Sequence, residues 1–396
     1  MRATTVFLGF VLLAGAAYYM LRVPQPEHPR HAACYGVTVD DAEATALRKA
    51  AGLGDAHALH QTGLMELYGR DGAPDPKEGI VLLKVAAAQG DAEAQYALGE
   101  LYSSRTSGIR NDVYEARKYL LMAAEQGHGE AMSTLAYMLS PLIHDNHAFQ
   151  TPRTPQDREQ AVLWTSRAAV VKEGVRYHAK DAPFDAARIE HLRKQAEAGE
   201  ARAQFELALL LREGLGAEKD EKQAMAWMEK AAAQDNTPAL RLLSGWVWKD
   251  DVPRRKKLLD RAAELGDAKA MSWLAFQYMP STIISVDGKP PERDYPLNPA
   301  KAIELYTQAA KLNDAYALLN LGGIFYRNEF GMPKDSVLAY ALMTRAARNA
   351  ATRGSIYMHY DCDAVAASLS PEDMARARKL SLEWPGNYPP PPPPPQ

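Results

Sequence analysis

Side chains able to do chemistry are sparse in this chain and stand mostly in pairs. His144-Asp145-Asn146-His147 and His57 with His60 carry histidines three apart, a separation that could hold a metal ion. A catalytic zinc takes three protein ligands, so each pair supplies half a site at best, and both read as solvated loop or helix-face histidines. Asp361 and Asp363 flank Cys362 and make an acidic pocket only if another segment folds over them. There is no G-x-S-x-G nucleophile elbow, no H-E-x-x-H, no phosphate-cradling glycine loop and no paired C-x-x-C. The expectation is no catalytic residue, no cofactor and no metal.

Charge excludes further classes. The chain has 396 residues, 47% hydrophobic and 24% charged, with a formal net charge of −3. No basic field draws it to nucleic acid or to an anionic membrane surface. The one basic cluster, Arg254-Arg255-Lys256-Lys257, lies among Asp250, Asp251, Asp260 and Glu264 and reads as a solvated helix start.

Residues 1–21 carry Arg2 and then no charge until Arg22, the pattern of a signal peptide or a signal anchor. Residues 5–21 just reach the lower length limit for a spanning helix, and Tyr18-Tyr19 suits an interfacial belt. Small residues at 14–17 would serve cleavage. The reading is a retained inner-membrane anchor, with cleavage as the alternative, and either way the remainder faces the periplasm. A Pro-rich linker at 22–40 follows. Cys34 and Cys362 are the two cysteines. An oxidising compartment invites their pairing, but the ends of a helical stack should stand several helix widths apart, so they are expected to be unpaired.

The elements that would position any of these groups come from a recited phrase. GDAEAQYALGELY from Gly90 returns as GDAHALHQTGLMELY from Gly54, GHGEAMSTLAYML from Gly127 and GEARAQFELALLL from Gly199. It returns again as DNTPALRLLSGWV from Asp235, GDAKAMSWLAFQY from Gly266 and NDAYALLNLGGIFY from Asn313. The junctions lie 36, 37, 72, 36, 31 and 47 residues apart, and a period near 36 marks a solenoid of helix hairpins. First helices carry apolar residues at Ala94, Leu98 and Leu101; second helices end in a double alanine with a large residue four before it. Leu82 precedes Ala86 in this way, as do Tyr119 and Ala123, Trp164 and Ala168, and Trp227 and Ala231. Small residues let helix axes approach while the large partner fills the gap, so this aromatic series reads as core. Turn residues in the left-handed region are expected at Gly90, Gly266 and Asn313. Asp75-Pro76, Thr154-Pro155, Asn298-Pro299 and Ser370-Pro371 read as helix starts. No run alternates as a strand does, so the fold class is all-α.

The pattern A-x-A-x-x-x-L-G-x-x-Y, a loop, then A-x-x-W-x-x-x-A-A-x-x-G resembles the Sel-one-like repeat family, relatives of the tetratricopeptide solenoids. Its best copies are Ala92 to Tyr102 with Ala116 to Gly127, and Ala201 to Leu211 with Ala224 to Asp235. The likeness covers residues 44–350 and implies a right-handed superhelix with a concave protein-binding surface, used in envelope assembly, signalling, host interaction and toxin neutralisation. The closing LSPEDMARARKLSLEW resembles the helix that caps such arrays. Hydrolytic penicillin-binding members resemble a cysteine-rich subclass with a bridge in each repeat, whose residues this chain lacks.

The layout expected is a solenoid over 41–350, capping helices over 351–384 and a polyproline tail over 385–396, including seven consecutive prolines. Breaks at 140–154 and 279–297 sit between the two helices of a unit and should leave by the same edge; a third, at 172–184, precedes an extra helix with Ile189, Leu192 and Ala196 on one face. Phe149, Arg153, Ile283, Ile284, Arg293 and Tyr295 in these loops are the expected partner-binding anchors, types favoured at interface centres. The functional expectation is a non-enzymatic protein-binding repeat protein of the bacterial envelope, most concretely an immunity-type inhibitor of a secreted toxin. A scaffold for envelope assembly, polysaccharide export or signalling is the alternative, and a periplasmic hydrolase of peptidoglycan or β-lactam the rival from another class.

Overall fold

Local signals place every helix. In a computed structural model of the chain, the described residues are 41–68, 75–103, 112–139, 155–177, 179, 184–247, 251–280, 295–348, 362 and 364–384. Among them there is no strand. After α1 (Asp41–Gly52) come three hairpins: α2 (Ala56–Tyr68) with α3 (Pro76–Ala88), α4 (Ala92–Ser103) with α5 (Val113–Glu125), and α6 (Gly129–Leu139) with α7 (Pro155–Lys172). A single helix, α8 (Ala186–Glu197), precedes four more: α9 (Ala201–Glu213) with α10 (Glu221–Ala233), α11 (Thr237–Trp246) with α12 (Val252–Glu264), α13 (Ala268–Tyr278) with α14 (Pro299–Lys311), and α15 (Ala315–Arg327) with α16 (Ser336–Arg348). The last element, α17 (Pro371–Glu383), packs on α16.

The Gly-Asp phrase is a seam with two jobs. Gly90, Gly266 and Asn313 take φ of 93°, 92° and 63°, the left-handed turn that ends one hairpin. The next residue then caps the following helix: Asp91, Asp267 and Asp314 accept the amide of the residue three later at 2.7, 2.7 and 2.8 Å. Asp75, Asn298 and Ser370 cap α3, α14 and α17 as their sequences predict. The double alanines are buried, with Ala86, Ala123, Ala231, Ala262, Ala309 and Ala346 each at 0% exposure. Tyr119 and Trp164 are buried beside them, whereas Trp227 is half-buried under the Lys230 ammonium, 3.9 Å from its ring centroid.

Glutamines tie the seams from inside. Buried Gln95 donates to the Ala87 carbonyl at 3.0 Å and accepts from Gln126 at 2.7 Å. Gln204 does the same with Ala196 at 3.0 Å and Gln234 at 2.8 Å, one amide pair closing a seam in each half of the array.

The spacing of 72 residues between Gly127 and Gly199 hides a unit without its first helix. Gly174 has the seam conformation, φ 82°, but residues 175–177 after it form no helix; α8 follows, with Ile189, Leu192 and Ala196 buried as expected. Val175 and Tyr177 fill the vacated space. Tyr177 lies so close to Gly127 that a Cβ there would stand 2.2 Å from its carbonyl oxygen, and the Ala179 amide donates to the Glu125 carbonyl at 2.8 Å. Hydrophobic cores before and after this point meet at Val171 and Phe184.

One expectation changes. Cys362 is wholly buried and disulfide-bonded rather than a free thiol, and the other cysteine, Cys34, lies outside the described residues. The helix-width argument left out the six residues between Cys34 and α1, whose seven Cα steps add a reach of about 25 Å. Among the described residues no helix is long and apolar enough to cross a membrane; the expected anchor at 1–21 and the proline tail fall outside them.

Candidate functional site

Of the six loop anchors read from the sequence, Phe149, Arg153, Ile283, Ile284 and Arg293 lie outside the described residues. Tyr295 corrects its own expectation. It is 4% exposed, its hydroxyl donates to Asp260 at 3.2 Å, and its ring meets Tyr278 edge-on at 5.2 Å with Lys256 above it. Burial pushes its phenol, and the carboxyl of Asp260, up from their ordinary values. It packs the α12–α14 region and is turned away from solvent. Arg255 of the basic cluster is likewise buried, and Arg254 pairs with Glu229 at 2.8 Å.

A different surface has the makings of a site. Successive first helices approach one another directly, α4 with α6 and α13 with α15, more closely than successive second helices do, so the stack bends with its first helices inside. In a first helix the second, sixth and ninth residues share one face, a turn apart. Along α2, α4, α6, α9, α11, α13 and α15 the second residue is His57, Glu93, Glu130, Arg202, Pro238, Lys269 and Tyr316.

The N-terminal part of this face is acidic. His128, at the cap of α6, takes the Ala131 amide on Nδ1 at 3.1 Å, which leaves its proton on Nε2, 3.5 Å from Glu93. Its ring stacks on Tyr96 at 4.5 Å, and Glu130 stands 3.7 Å from Nδ1. The ninth residue of α4, Glu100, lies between α4 and α6. Burial raises its carboxyl to about 7, against hydrogen bonds with Thr134 and Tyr96 and the attraction of His128.

Beyond the interruption the face is aromatic and basic. Phe276 is 42% and Tyr316 49% exposed, with half-buried Trp273 and Leu242 beside them. Arg202 binds Glu206 at 2.7 Å and the Gly174 carbonyl at 2.7 Å. Deeper, buried Arg241 joins Glu173 from the interruption to Asp267 at the α13 cap, the latter at 3.3 Å, while Lys269 reaches Glu173 at 3.6 Å. The Glu173 carboxyl is held below its usual range by Arg241 and Lys269, which outweigh its burial.

No nucleophile stands against a base among these groups, and what they offer a ligand is shape, charge and apolar contact. At the N-terminal end of the face, His57 and His60 come together with Asp91, residues able to hold a metal ion. The change of sign was present in the sequence as the second residue after each seam, a signal that loop-directed reading passes over. The Arg241 network was not visible, because its partners are 68 residues apart.

A family model for the Sel1 repeat matches residues 56–91, 92–128, 131–169, 201–236, 287–314 and 315–350. An uncharacterized protein of Neisseria meningitidis serogroup B is 26% identical over 293 residues, 67% of this chain, which spans 54% of that relative's length. Among solved structures, a Sel1 repeat protein from Oxalobacter formigenes is 26% identical, covers 85% of this chain and 94% of its own, and has a TM-score of 0.38. An immunity protein from Pseudomonas aeruginosa is 20% identical, covers 59% and 83%, and has a TM-score of 0.33.

Proposed function

The chain belongs to the Sel1 repeat family, and from that premise we propose that it is a non-enzymatic inhibitor of the immunity type, gripping a toxic protein along its inner face on the periplasmic side of the inner membrane. Protein binding is the general role of such repeats. The observation that carries the finer reading is the division of the inner face: Glu93, Glu100 and Glu130 in one stretch, then Trp273, Phe276 and Tyr316 in another. Apolar and aromatic side chains supply binding energy once water is excluded, and a charged stretch beside them sets orientation and encounter rate. The partner is therefore a protein with a basic patch next to an apolar prominence. Blocking an enzyme requires surface and shape, which this face offers, and no reactive group of its own.

Two observations support placement outside the cytoplasm. Residues 5–21 form an uncharged run behind Arg2, and Cys362 is disulfide-bonded, the chemistry of an oxidising compartment. The test is a deletion strain challenged with toxin-delivering competitors. Loss of viability, restored by the full chain and by no variant carrying Trp273→Ala with Phe276→Ala, is the expected result; a deletion strain as resistant as its parent removes the inhibitor reading. A one-to-one complex recovered without any protection would leave binding in place and make the chain a scaffold.

A further inference from the structure

We propose that His57, His60 and Asp91 form a zinc-type site for a divalent ion at the first seam of the array, independent of the partner assigned above. One ligand atom from each of the three lies within 4.8 Å of the other two. The histidines are three apart on α2 and so face the same way. Asp91 arrives from the next unit, swung into place by the left-handed turn at Gly90 and fixed by capping α4 with one carboxylate oxygen, Oδ1 to the Ala94 amide at 2.7 Å. A carboxylate has lone pairs enough to cap and ligate at once.

The distances fit coordination better than direct bonding. His60 Nδ1 stands 3.7 Å from Asp91 Oδ1, too long for a hydrogen bond, and 3.4 Å from the Gln61 side-chain nitrogen, a contact that an ion would replace. Two tetrahedral ligands at zinc bond lengths of about 2.1 Å keep roughly 3.4 Å between them. His60 is 1% exposed, so the packing of α2 holds its ring, whereas His57 is exposed and leaves the site an entrance from the inner face. Three protein ligands with one side open is the arrangement that leaves a fourth position for water or for a group on a partner.

The other seams show what these positions do when the residue types differ. At three other seams the fifth residue of a first helix meets the cap of the next one: Ser272 donates to Asp314 at 2.6 Å, Arg241 meets Asp267 at 3.3 Å, and Tyr96 stacks on His128 at 4.5 Å. Each of those pairs is closed by its own contact. At the first seam the second residue, the fifth residue and the following cap are His, His and Asp, three ligand types at once. The ion would clip the first two hairpins together where, among the described residues, α1 is their one further neighbour on that side.

The test uses the full chain in detergent without a polyhistidine tag, stripped by a chelator and titrated with zinc against a chromophoric competitor. One zinc per chain is expected, with affinity lowered more than tenfold by His57→Ala and by Asp91→Asn, since losing even an outer-shell partner costs at least that. Both variants fold, because His57 is exposed and asparagine caps a helix as aspartate does. Zinc should raise the melting temperature of the parent and leave that of His57→Ala unchanged. Cobalt(II) should give the intense visible bands of four-coordination in the parent alone. Uptake below one zinc per chain, uptake unaltered in His57→Ala, or uptake abolished by His144→Ala with His147→Ala overturns the assignment.

Discussion

Before the interruption at residue 173 the inner face presents His57, Glu93 and Glu130 at the second helical position; after it, Arg202, Lys269 and Tyr316 stand at the same position. The scaffold is common to both stretches, down to the glutamine pairs inside one seam of each. What differs is how each stretch treats its charges. In the first, Glu93 and Glu130 stand on either nitrogen of His128, while burial forces Glu100 towards its neutral form. In the second, charges are consumed in the Glu173–Arg241–Asp267 network and apolar rings are left to meet a ligand. In the role proposed, equal backbones thus give one region to attract a partner and another to hold it.

The largest break in that contrast should come from Arg241→Ala. It leaves buried Asp267 without its cation and Glu173 with Lys269 alone, and removing one partner of a buried ion network costs about 3–5 kcal/mol. Denaturant unfolding should register it, and Arg241→Met joined to Glu173→Gln should recover much of the loss. If Arg241→Ala costs under about 1 kcal/mol, the two stretches are not held differently. Next comes the holding surface itself: Trp273→Ala and Phe276→Ala should each weaken partner binding about tenfold or more, seen mainly in the dissociation rate.

Glu100 sharpens the comparison through pH. Its folded carboxyl keeps a proton up to about 7, while the unfolded chain releases it near 4.5, so the folded state binds more protons across that window. Stability therefore falls as pH rises from 4.5 to 7. Glu100→Gln should remove that decline and stabilise the chain by about 1–2 kcal/mol at pH 8, with little effect at pH 4, by thermal melts at both values. A Gln variant no more stable at pH 8 than at pH 4, relative to the parent, would mean that Glu100 is well solvated. The smallest effect is expected from Glu93→Gln and Glu130→Gln, under about 1 kcal/mol each in affinity, read as a slower association rate and a flatter salt dependence.

Period, helix starts, left-handed seams and alanine packing were legible in the sequence because each is decided within a few residues. Asp91 capping three residues onward, or Ala86 placed four after Leu82, needs no knowledge of the rest of the chain. The candidate site was read less well. Tyr295 was expected at the surface by its type and its loop, yet it is the ring that fills space beside Tyr278. Asp91 could not be joined to His57 and His60 without knowing how one hairpin lies on the next, and Glu173 meets Arg241 because a whole helix is missing between them. Contacts set by curvature escape a reading confined to periodicity.

The recurring amide bridge has a further consequence. Gln95 with Gln126 and Gln204 with Gln234 are joints of one standard pattern: each pair lies within one hairpin, and its first glutamine reaches back to a carbonyl of the preceding helix, Ala87 or Ala196, asking nothing of more distant units. A hairpin bearing both halves of the joint can be gained or lost as a module, its neighbours bonding across the cut as before. The span of the array can therefore lengthen or shorten by whole units while the side chains that choose a ligand stay untouched.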